Sequence, residues 1–145
     1  MIYDLCRKNE IFYRFHPPFV TKESIGEDME ALPPGRSRED KFYIGFFDGD
    51  KLIAVMDFIF GYPQENVVYI GFFMVESAVS GRGIGTSIIQ GCLPYFASLG
   101  CCAARLAVDE GNPQSSAFWR KNGFAETGER FPQGKPVYLV MERRL

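Results

Sequence analysis

Three glycines, Gly81, Gly83 and Gly85, stand close behind a run of strand-forming residues, Val67–Val75. An apolar stripe with helical spacing follows the glycines, and the segment Ala103–Val108 then predicts a short second strand. Because a strand, a helix and a strand in succession form a βαβ unit, the two strands are expected to lie parallel in one sheet. This unit restricts the chain to α/β folds.

The segment before this unit predicts an antiparallel meander. Lys41–Phe47 and Leu52–Phe60 are rich in strand-forming residues, and the sequence DGD at Asp48–Asp50 is typical of a hairpin turn. A second turn, Gly61–Asn66, leads into Val67–Val75. Consecutive strands on short turns pair antiparallel. We therefore predict a mixed sheet, an antiparallel meander followed by a βαβ unit, with helices on both faces.

Helices are predicted on either side of the meander. The spacing of apolar residues favours one helix over Asp4–Arg14, and Thr21 is a suitable N-cap for a short helix that ends at Glu30. The helix after the glycines contains Pro94, which we expect to kink the helix or end it early. A further amphipathic helix is predicted over Ser115–Asn122.

Two late strands, near Phe124–Glu129 and Val137–Glu142, are predicted to complete the sheet. The chain has 145 residues, among them 14 Phe and 7 Tyr, which provide enough bulk for one hydrophobic core. The sequence contains neither internal repeats nor low-complexity tracts. We therefore predict a single domain that spans residues 1–145.

Charge and composition argue against several classes of partner. The net charge is −2 and the isoelectric point is near 5.5, whereas a nucleic-acid partner requires a basic surface. No apolar run approaches the roughly 18 residues of a membrane span, and the charged N-terminus is unlike a secretory signal. We expect a cytoplasmic protein with reduced thiols and no metal site, because one His and four Cys occur without a C-x-x-C pair.

A glycine loop at the start of a helix leaves backbone N–H groups without acceptors, and the helix dipole favours negative charge there. Glycine lets a ligand approach the backbone closely, and Arg82 adds a cation suited to phosphate. Neither the P-loop, G-x-x-x-x-G-K-(S/T), nor the G-x-G-x-x-G dinucleotide fingerprint fits this segment. The loop predicts a phosphate or pyrophosphate site, although taken alone it is equally consistent with a turn that binds nothing.

Two motifs together extend this interpretation. The segments VESAVSGRGIGT and NPQSSAFWRKNGF resemble the phosphate loop, (Q/R)-x-x-G-x-(G/A), and the later signature, N-x-x-A-x-x-F-Y-x-K-x-G-F, of the GNAT N-acetyltransferase family. The resemblance covers Lys41 to about Phe124, with both motifs at the expected spacing. It implies the acyl-CoA N-acyltransferase fold and an enzyme that moves the acetyl group of acetyl-CoA to an amine.

The resemblance also implies which residues hold acetyl-CoA. Backbone amides of the glycine loop bind the pyrophosphate, and the end of the preceding strand binds the pantetheine arm where two parallel strands separate. Asn112 matches a cofactor-contacting asparagine, although an Asn before Pro113 is equally suited to cap a helix. The candidate cofactor-binding residues are Phe73, Met74, Val75, Ser80, Gly81, Arg82, Gly83, Ile84, Gly85, Thr86, Asn112 and Trp119.

Two positions depart from the family pattern. Ser80 stands where the loop usually has Gln or Arg; because backbone amides do most of the binding and Arg82 supplies charge, we expect binding to be retained. Trp119 stands where the family has a tyrosine that often protonates the departing thiolate. An indole N–H donates a hydrogen bond but is no proton source near neutral pH, so we predict an aromatic wall at Trp119, with water as the proton source.

The pattern does not single out the residue that removes the proton from the amine. The family often carries Glu at positions that correspond to Tyr69 and Ala107. Asp109 lies two residues beyond Ala107 and so on the same strand face, and Asp57 is a lone carboxylate inside an apolar strand, where burial raises a carboxyl pKa. Glu76 ends the strand near the expected thioester. The catalytic candidates are Asp57, Asp109, Glu76 and Tyr69. Asp57 is also suited to pair with a core hydroxyl or an arginine, and Glu76 is also consistent with an ordinary solvated carboxylate.

We therefore expect direct attack on acetyl-CoA by a primary amine of a small molecule or peptide, without a covalent enzyme intermediate. The resemblance places the acceptor site among Phe12–Phe19, Ala31–Asp40 and Phe131–Pro136, which show no clear acidic cluster for a polyamine. Two alternatives stay open: a non-catalytic acyl-CoA-binding sensor or scaffold, favoured by the missing Tyr and Glu, and a nucleotide-binding regulatory domain. The strand edge after the late hairpin offers a contact for a homodimer.

Overall fold

In the computed structural model, which describes residues 1–131 and 137–145, a six-stranded sheet runs through the molecule in the order β1-β2-β3-β4-β6-β5. The strands are β1 Lys41–Asp48, β2 Lys51–Phe60, β3 Val67–Val75, β4 Ala103–Asp109, β5 Ala125–Phe131 and β6 Tyr138–Arg144. The described residues also form the helices α1 Ile2–Arg7, α2 Glu10–Phe15, α3 Lys22–Glu30, α4 Ile84–Ser98 and α5 Pro113–Lys121.

The pairing of the strands confirms the predicted mixed sheet. β1, β2 and β3 pair antiparallel in chain order. β3 then pairs parallel with β4, and β6 lies antiparallel between β4 and β5. The predicted loop between the last two strands falls on residues 132–136, which lie outside the described residues, as does most of the predicted acceptor segment Phe131–Pro136.

Helices cover both faces of the sheet, as predicted. On one face α1 and α3 pack against β2 and β3, around a core of Leu5, Cys6, Val20, Ile25, Leu52, Val55 and Met74. On the other face α4 and α5 cover a larger core of Met56, Phe58, Val68, Ile70, Ile89, Leu93, Phe96, Ala104, Leu106, Val108, Trp119, Phe124 and Met141. Neighbours on one strand, such as Val55 and Met56, enter opposite cores because successive strand residues point to opposite faces.

β3 and β4 separate partway along their length. Their parallel pairing joins only Val67–Ile70 to Ala103–Leu106, although β3 continues to Val75 and β4 to Asp109. On its other edge, where β3 pairs with β2, the register shifts at Gly71, which forms a β-bulge. A gap therefore lies between the carboxyl ends of β3 and β4, as expected for strands that receive a ligand between them.

The N-terminal segment forms two helices instead of the single one predicted. α1 ends at Arg7 and α2 begins at Glu10, and Asn9 between them has non-helical angles of φ −92° and ψ 59°. Asn9 Nδ2 donates hydrogen bonds to the carbonyl oxygens of Leu5, at 3.0 Å, and Val75, at 3.3 Å. A side chain that bonds to nearby backbone in this way competes with helix continuation. The break connects the N-terminal helices to the end of β3.

The remaining helices agree with the predictions except at Pro94. Thr21 caps α3, because its Oγ1 accepts a hydrogen bond from the N–H of Ser24 at 3.0 Å. α4 continues past Pro94 to its last turn, so the expected early end does not occur. Leu93 and Phe96 on either side of the proline are buried, and this packing outweighs the missing backbone hydrogen bond. No helix among residues 1–131 and 137–145 is long and apolar enough to cross a membrane.

Candidate active site

The glycine loop connects β3 to α4 through two left-handed residues. After β3 ends at Val75, a 3₁₀ turn at Ser77–Val79 leads into Gly81 and Gly83, whose φ angles are +81° and +77°. Glycine adopts this region without the steric cost that other residues incur. Gly83 is the N-cap of α4, so the loop leads directly to the positive end of a 15-residue helix.

The loop carries a continuous run of backbone N–H groups without acceptors in the described part of the chain. On one side of the run, the N–H of Ser80 donates to a carbonyl of the preceding turn; on the other, the N–H of Ser87 donates to the Gly83 carbonyl at 2.9 Å. Between them, the N–H groups of residues 81–86 make no hydrogen bond to residues 1–131 or 137–145. A Cβ built on Gly81 or Gly83 meets nothing within 4 Å, so the space beside both glycines is open.

The other residues of the loop have different structural roles. Gly85 packs against α5: a Cβ there comes 3.0 Å from the side chain of Phe118, so this glycine permits close helix packing. The Ser80 hydroxyl donates to the Ser77 carbonyl at 3.0 Å and so stabilises the turn. Arg82 is exposed beside the free amides, where its positive charge adds to that of the helix end.

The end of β3 presents free backbone N–H groups to the gap. The N–H of Glu76 donates to the Ile53 carbonyl of β2 at 2.8 Å. Because antiparallel neighbours alternate between hydrogen-bonded and non-hydrogen-bonded pairs, the N–H groups of Val75 and Phe73 face away from β2, toward the gap beside β4. Met74 differs, because its backbone faces β2 and its side chain is in the core.

The gap opens into a cleft of about 570 Å³. Strand ends line one part of it, through Phe72 and Phe73 of β3 and Leu106–Asp109 of β4. The N-terminal segments and the adjoining strands line the other part, with the side chains of Phe12, Tyr13, His16, Asp28, Tyr43, Asp57 and Tyr69. One continuous cleft therefore joins the separated strands to all three predicted acceptor segments, since Ala31 and Phe131 also line it.

Trp119 is an aromatic wall of this cleft. The residue is 8% exposed, lines the cleft and belongs to the larger core. Its ring centroid lies 5.9 Å from that of Phe73, 5.0 Å from Phe118 and 5.1 Å from Phe124. These contacts agree with the packing role expected for an indole at this position.

Two buried asparagines fix the ends of α5. Asn112 caps the helix: its Oδ1 accepts from the N–H of Ser115 at 3.3 Å, and its Nδ2 donates to Ser115 Oγ at 3.0 Å. The capping interpretation is therefore confirmed, and a contact with a cofactor stays a prediction. Asn122, which the sequence analysis missed, donates to the Phe118 carbonyl at 2.9 Å and to Thr86 Oγ1 at 3.4 Å. It connects the first turn of α4 to the end of α5.

Asp57 lines the cleft but is held in an ion pair. Its Oδ2 lies 3.0 Å from Lys41 Nζ, and both side chains are largely buried, at 14% and 10% exposure. Lys41 Nζ also donates to the Ala31 carbonyl at 2.8 Å. Burial raises the pKa of Asp57, and the Lys41 ammonium opposes that rise. The structural interpretation of this carboxylate, as the partner of a buried cation, is thus present in the molecule.

The structure places the candidates Tyr69 and Glu76 in different parts of the molecule. Tyr69 lines the cleft, and burial raises its pKa to about 12, so its hydroxyl is a neutral hydrogen-bond donor near pH 7. Glu76 is only 4% exposed and accepts a hydrogen bond from Lys8 Nζ at 3.3 Å. It lies under the N-terminal helices and not along the cleft, so the structure does not bring it together with Asp57, Tyr69 or Asp109.

Asp109 ends β4 and contacts the chain's single histidine. His16 Nδ1 lies 3.0 Å from Asp109 Oδ1, and Asp109 is 4% exposed. The hydrogen bond with Asp109 raises the pKa of His16, and burial of the ring opposes this rise. The sequence analysis considered His16 only as a metal ligand and so missed this pair. The available signal was the HPPF segment, which ends the N-terminal helix inside the predicted acceptor region.

Asp28 was missed as well. It lies in the last turn of α3 and lines the cleft, and burial raises the pKa of its carboxyl group. With Glu27, Asp57 and Asp109 it gives the acceptor end of the cleft four carboxyl groups, contributed by α3, β2 and β4. No local pattern revealed this grouping, because the residues come from three separate elements.

Comparison with known proteins places the chain in a family. A sequence model of the Acetyltransferase (GNAT) family matches residues 7–124. A search of curated protein sequences gives no match.

Solved structures share the fold at low sequence identity. PaiA N-acetyltransferase from Thermoplasma acidophilum, solved in complex with coenzyme A, is 16% identical, with a TM-score of 0.68 over 99% of this chain and 91% of that one. The ribosomal-protein-S18-alanine N-acetyltransferase of Escherichia coli is 14% identical, with a TM-score of 0.66 over 99% and 89%. An acetyltransferase of Bacillus subtilis, also in complex with CoA, is 16% identical, with a TM-score of 0.64 over 86% and 84%.

Proposed function

The chain belongs to the GNAT acetyltransferase family, and we propose that it transfers the acetyl group of acetyl-CoA to a primary amine of a small molecule or peptide. The observation that carries the proposal is the run of free N–H groups at residues 81–86, at the positive end of α4 and beside open space. Such an array is suited to a doubly linked phosphate, which supplies several acceptor oxygens at once. The relatives solved with coenzyme A support the choice of ligand.

The residues present fit two parts of coenzyme A, its pyrophosphate and its pantetheine arm. The free amides and Arg82 would hold the pyrophosphate, and the N–H groups of Phe73 and Val75 would bind the amide-bearing pantetheine arm in the gap beside β4. Trp119 and Phe73 provide apolar contact for the arm. When bound, acetyl-CoA supplies an activated acyl group, a thioester.

The chain's own contribution is to position an amine against that thioester. The cleft runs from the gap between β3 and β4 to the aromatic and acidic acceptor end, so a thioester held in the gap and an amine at the acceptor end would share one cavity. Holding two reactants in register removes most of the entropic barrier to a bimolecular step. The N–H of Val75, at the end of β3, is suited to polarise a carbonyl oxygen. Carboxyl groups at the acceptor end favour a cationic substrate.

A thiol-release assay with acetyl-CoA and a panel of primary amines tests the proposal. Turnover with any amine supports it, and loss of that turnover in Gly83→Asp ties the activity to the loop. Tight binding of coenzyme A with no turnover by any amine would instead support a non-catalytic acyl-CoA-binding module, which the tryptophan at position 119 and the Lys41–Asp57 ion pair favour.

Mass spectrometry of ligand retained through purification distinguishes a third function. Coenzyme A or its acyl esters support the proposal. A mononucleotide or dinucleotide would contradict it and would assign the loop to a nucleotide-binding regulatory domain.

A further inference from the structure

His16 and Asp109 are brought together only by the fold. His16 is the C-cap of α2, Asp109 is the last residue of β4, and 93 positions separate them in the chain. Both line the cleft, at the point where β4 has already separated from β3. The imidazole therefore lies where an amine must approach a thioester that is held in the gap.

The imidazole is held from several sides. Nδ1 lies 3.0 Å from Asp109 Oδ1, and the carboxylate is 4% exposed. The ring stacks on Phe12, with centroids 5.2 Å apart and planes inclined by 29°, and lies 6.0 Å from the ring of Tyr138. Nε2 makes no hydrogen bond to any residue of the described ranges 1–131 and 137–145, and the side chain is 36% exposed. One ring nitrogen is thus anchored and the other is available.

The other groups in the cleft are less suited to accept a proton. Asp57 is engaged by Lys41, and the hydroxyl of Tyr69, with its pKa of about 12, is a donor near neutral pH. Glu27 and Asp28 have no anchoring hydrogen bond to the residues that the structure describes and lie at the exposed edge of the cleft. His16 alone combines a fixed ring, a free nitrogen and a titration range close to neutrality.

The geometry points to His16 as the general base of the transfer, with Nε2 accepting a proton from the substrate ammonium and Asp109 acting as a positioning residue. The inference rests on the proposed acetyl transfer. The carboxylate of Asp109 fixes the tautomer with hydrogen on Nδ1, orients the ring and stabilises the imidazolium that forms.

The protons and bonds balance without a further reactant. The ammonium gives one proton to Nε2, the nitrogen lone pair forms the C–N bond, and the C–S bond breaks with its electron pair on sulfur. The nitrogen then loses its second proton, which neutralises the thiolate directly or through water. The imidazolium returns its proton to solvent, so one proton is released for each amide formed.

The charged groups around His16 define the expected pH dependence. Asp109 faces the ring from β4, Asp28 from α3 and Tyr138 from β6. Both carboxylates favour the imidazolium and raise the pKa of His16, while burial opposes them. The base is therefore active above a pKa higher than the ordinary value of about 6.5. Removal of the Asp109 charge should lower the pKa of His16. In a plot of kcat against pH, the rise on the acidic side should then occur at lower pH.

Two amine substrates of similar size distinguish a defect in proton removal from a defect in substrate binding. Phenethylamine, an ammonium ion at pH 7, suits the aromatic cleft, and phenylhydrazine presents a nitrogen that is already neutral. In His16→Gln, kcat with phenethylamine should fall by about 10²–10⁴-fold, while kcat with phenylhydrazine falls by less than about tenfold. Asp109→Asn should lower kcat with phenethylamine and shift its pH profile. Glu110→Gln removes a neighbouring exposed carboxylate that pairs with Arg130 and should change neither.

Equal losses with both acceptors in His16→Gln would overturn the inference, because a structural role affects the two alike. If the wild-type protein acetylates no amine, the proposed function is wrong. NMR titration of the single histidine then still tests whether His16 and Asp109 are paired. The ring should carry its hydrogen on Nδ1, with a pKa above about 6.5 that falls in Asp109→Asn. A pKa that stays unchanged in Asp109→Asn would contradict the pairing.

Discussion

At the residue scale, Trp119 stands where the family has a tyrosine, and the indole keeps the packing role of that ring without its capacity to donate a proton. The tryptophan contacts Phe73, Phe118 and Phe124 and closes one side of the cleft. The neighbouring cleft residues Tyr69 and Asp57 are also fixed, one as a neutral hydroxyl and the other in an ion pair. In the proposed mechanism, proton transfer is therefore assigned to His16, positioned by Asp109, and to solvent.

Trp119→Phe should retain most activity, because a smaller ring keeps the wall and the indole N–H has no assigned chemistry. Trp119→Ala should lower the free energy of unfolding by about 3–5 kcal/mol, since it leaves a cavity in the larger core. Urea unfolding and thiol release measure the two effects. A hundredfold loss of kcat in Trp119→Phe, with coenzyme A affinity unchanged, would show that the indole N–H takes part in the reaction.

The His16–Asp109 pair also makes a prediction for stability. Because the folded state raises the pKa of His16, its contribution to stability is fully present below the unfolded pKa of about 6.5 and is lost as the pH rises through the folded value. The wild type should therefore exceed His16→Gln in unfolding free energy by more near pH 6 than near pH 9. A difference that grows with pH would contradict the assigned pairing.

At the scale of elements, what the sequence could predict was local. Strand composition, the DGD turn and the Thr21 cap are properties of neighbouring residues, and the meander, the βαβ unit and α3 follow from them. Asn9 divides the N-terminal helix by bonding to Val75, far along the chain, and buried neighbours carry α4 past Pro94. Both departures depend on tertiary contacts that residue spacing does not encode.

The start of α5 offers a test at this scale. Asn112→Ala should destabilise the protein by about 0.5–2 kcal/mol, because the Ser115 N–H loses its cap, and Asn112→Asp should restore most of the loss. Thermal unfolding measures the cap, and coenzyme A titration of Asn112→Asp shows whether the side chain also contacts the cofactor. Equal stability of the Ala and Asp variants would argue against the capping role.

At the scale of the whole molecule, the site has two parts, the glycine loop and the acceptor end, and only the first could be predicted from the sequence. The glycine loop was recognisable because its residues are contiguous, and its free amides agree with that prediction. The acceptor end could not be recognised in the sequence, because His16, Asp28, Asp57 and Asp109 come from different parts of the chain that meet only in the folded protein. Separation of β3 from β4 opens the cleft that connects the strand ends to the acceptor end.

The proposed function depends most on binding of the pyrophosphate by the free amides of residues 81–86. Calorimetric titration of coenzyme A into Gly83→Asp tests this binding most directly. Asp is among the few residues that tolerate a left-handed backbone, so the variant is expected to fold while its carboxylate repels the pyrophosphate. Gly91→Asp places the same change on an exposed turn of α4, away from the loop, as a matched control. The account predicts binding to wild type and Gly91→Asp and none detectable to folded Gly83→Asp. Equal affinity in all three would contradict it.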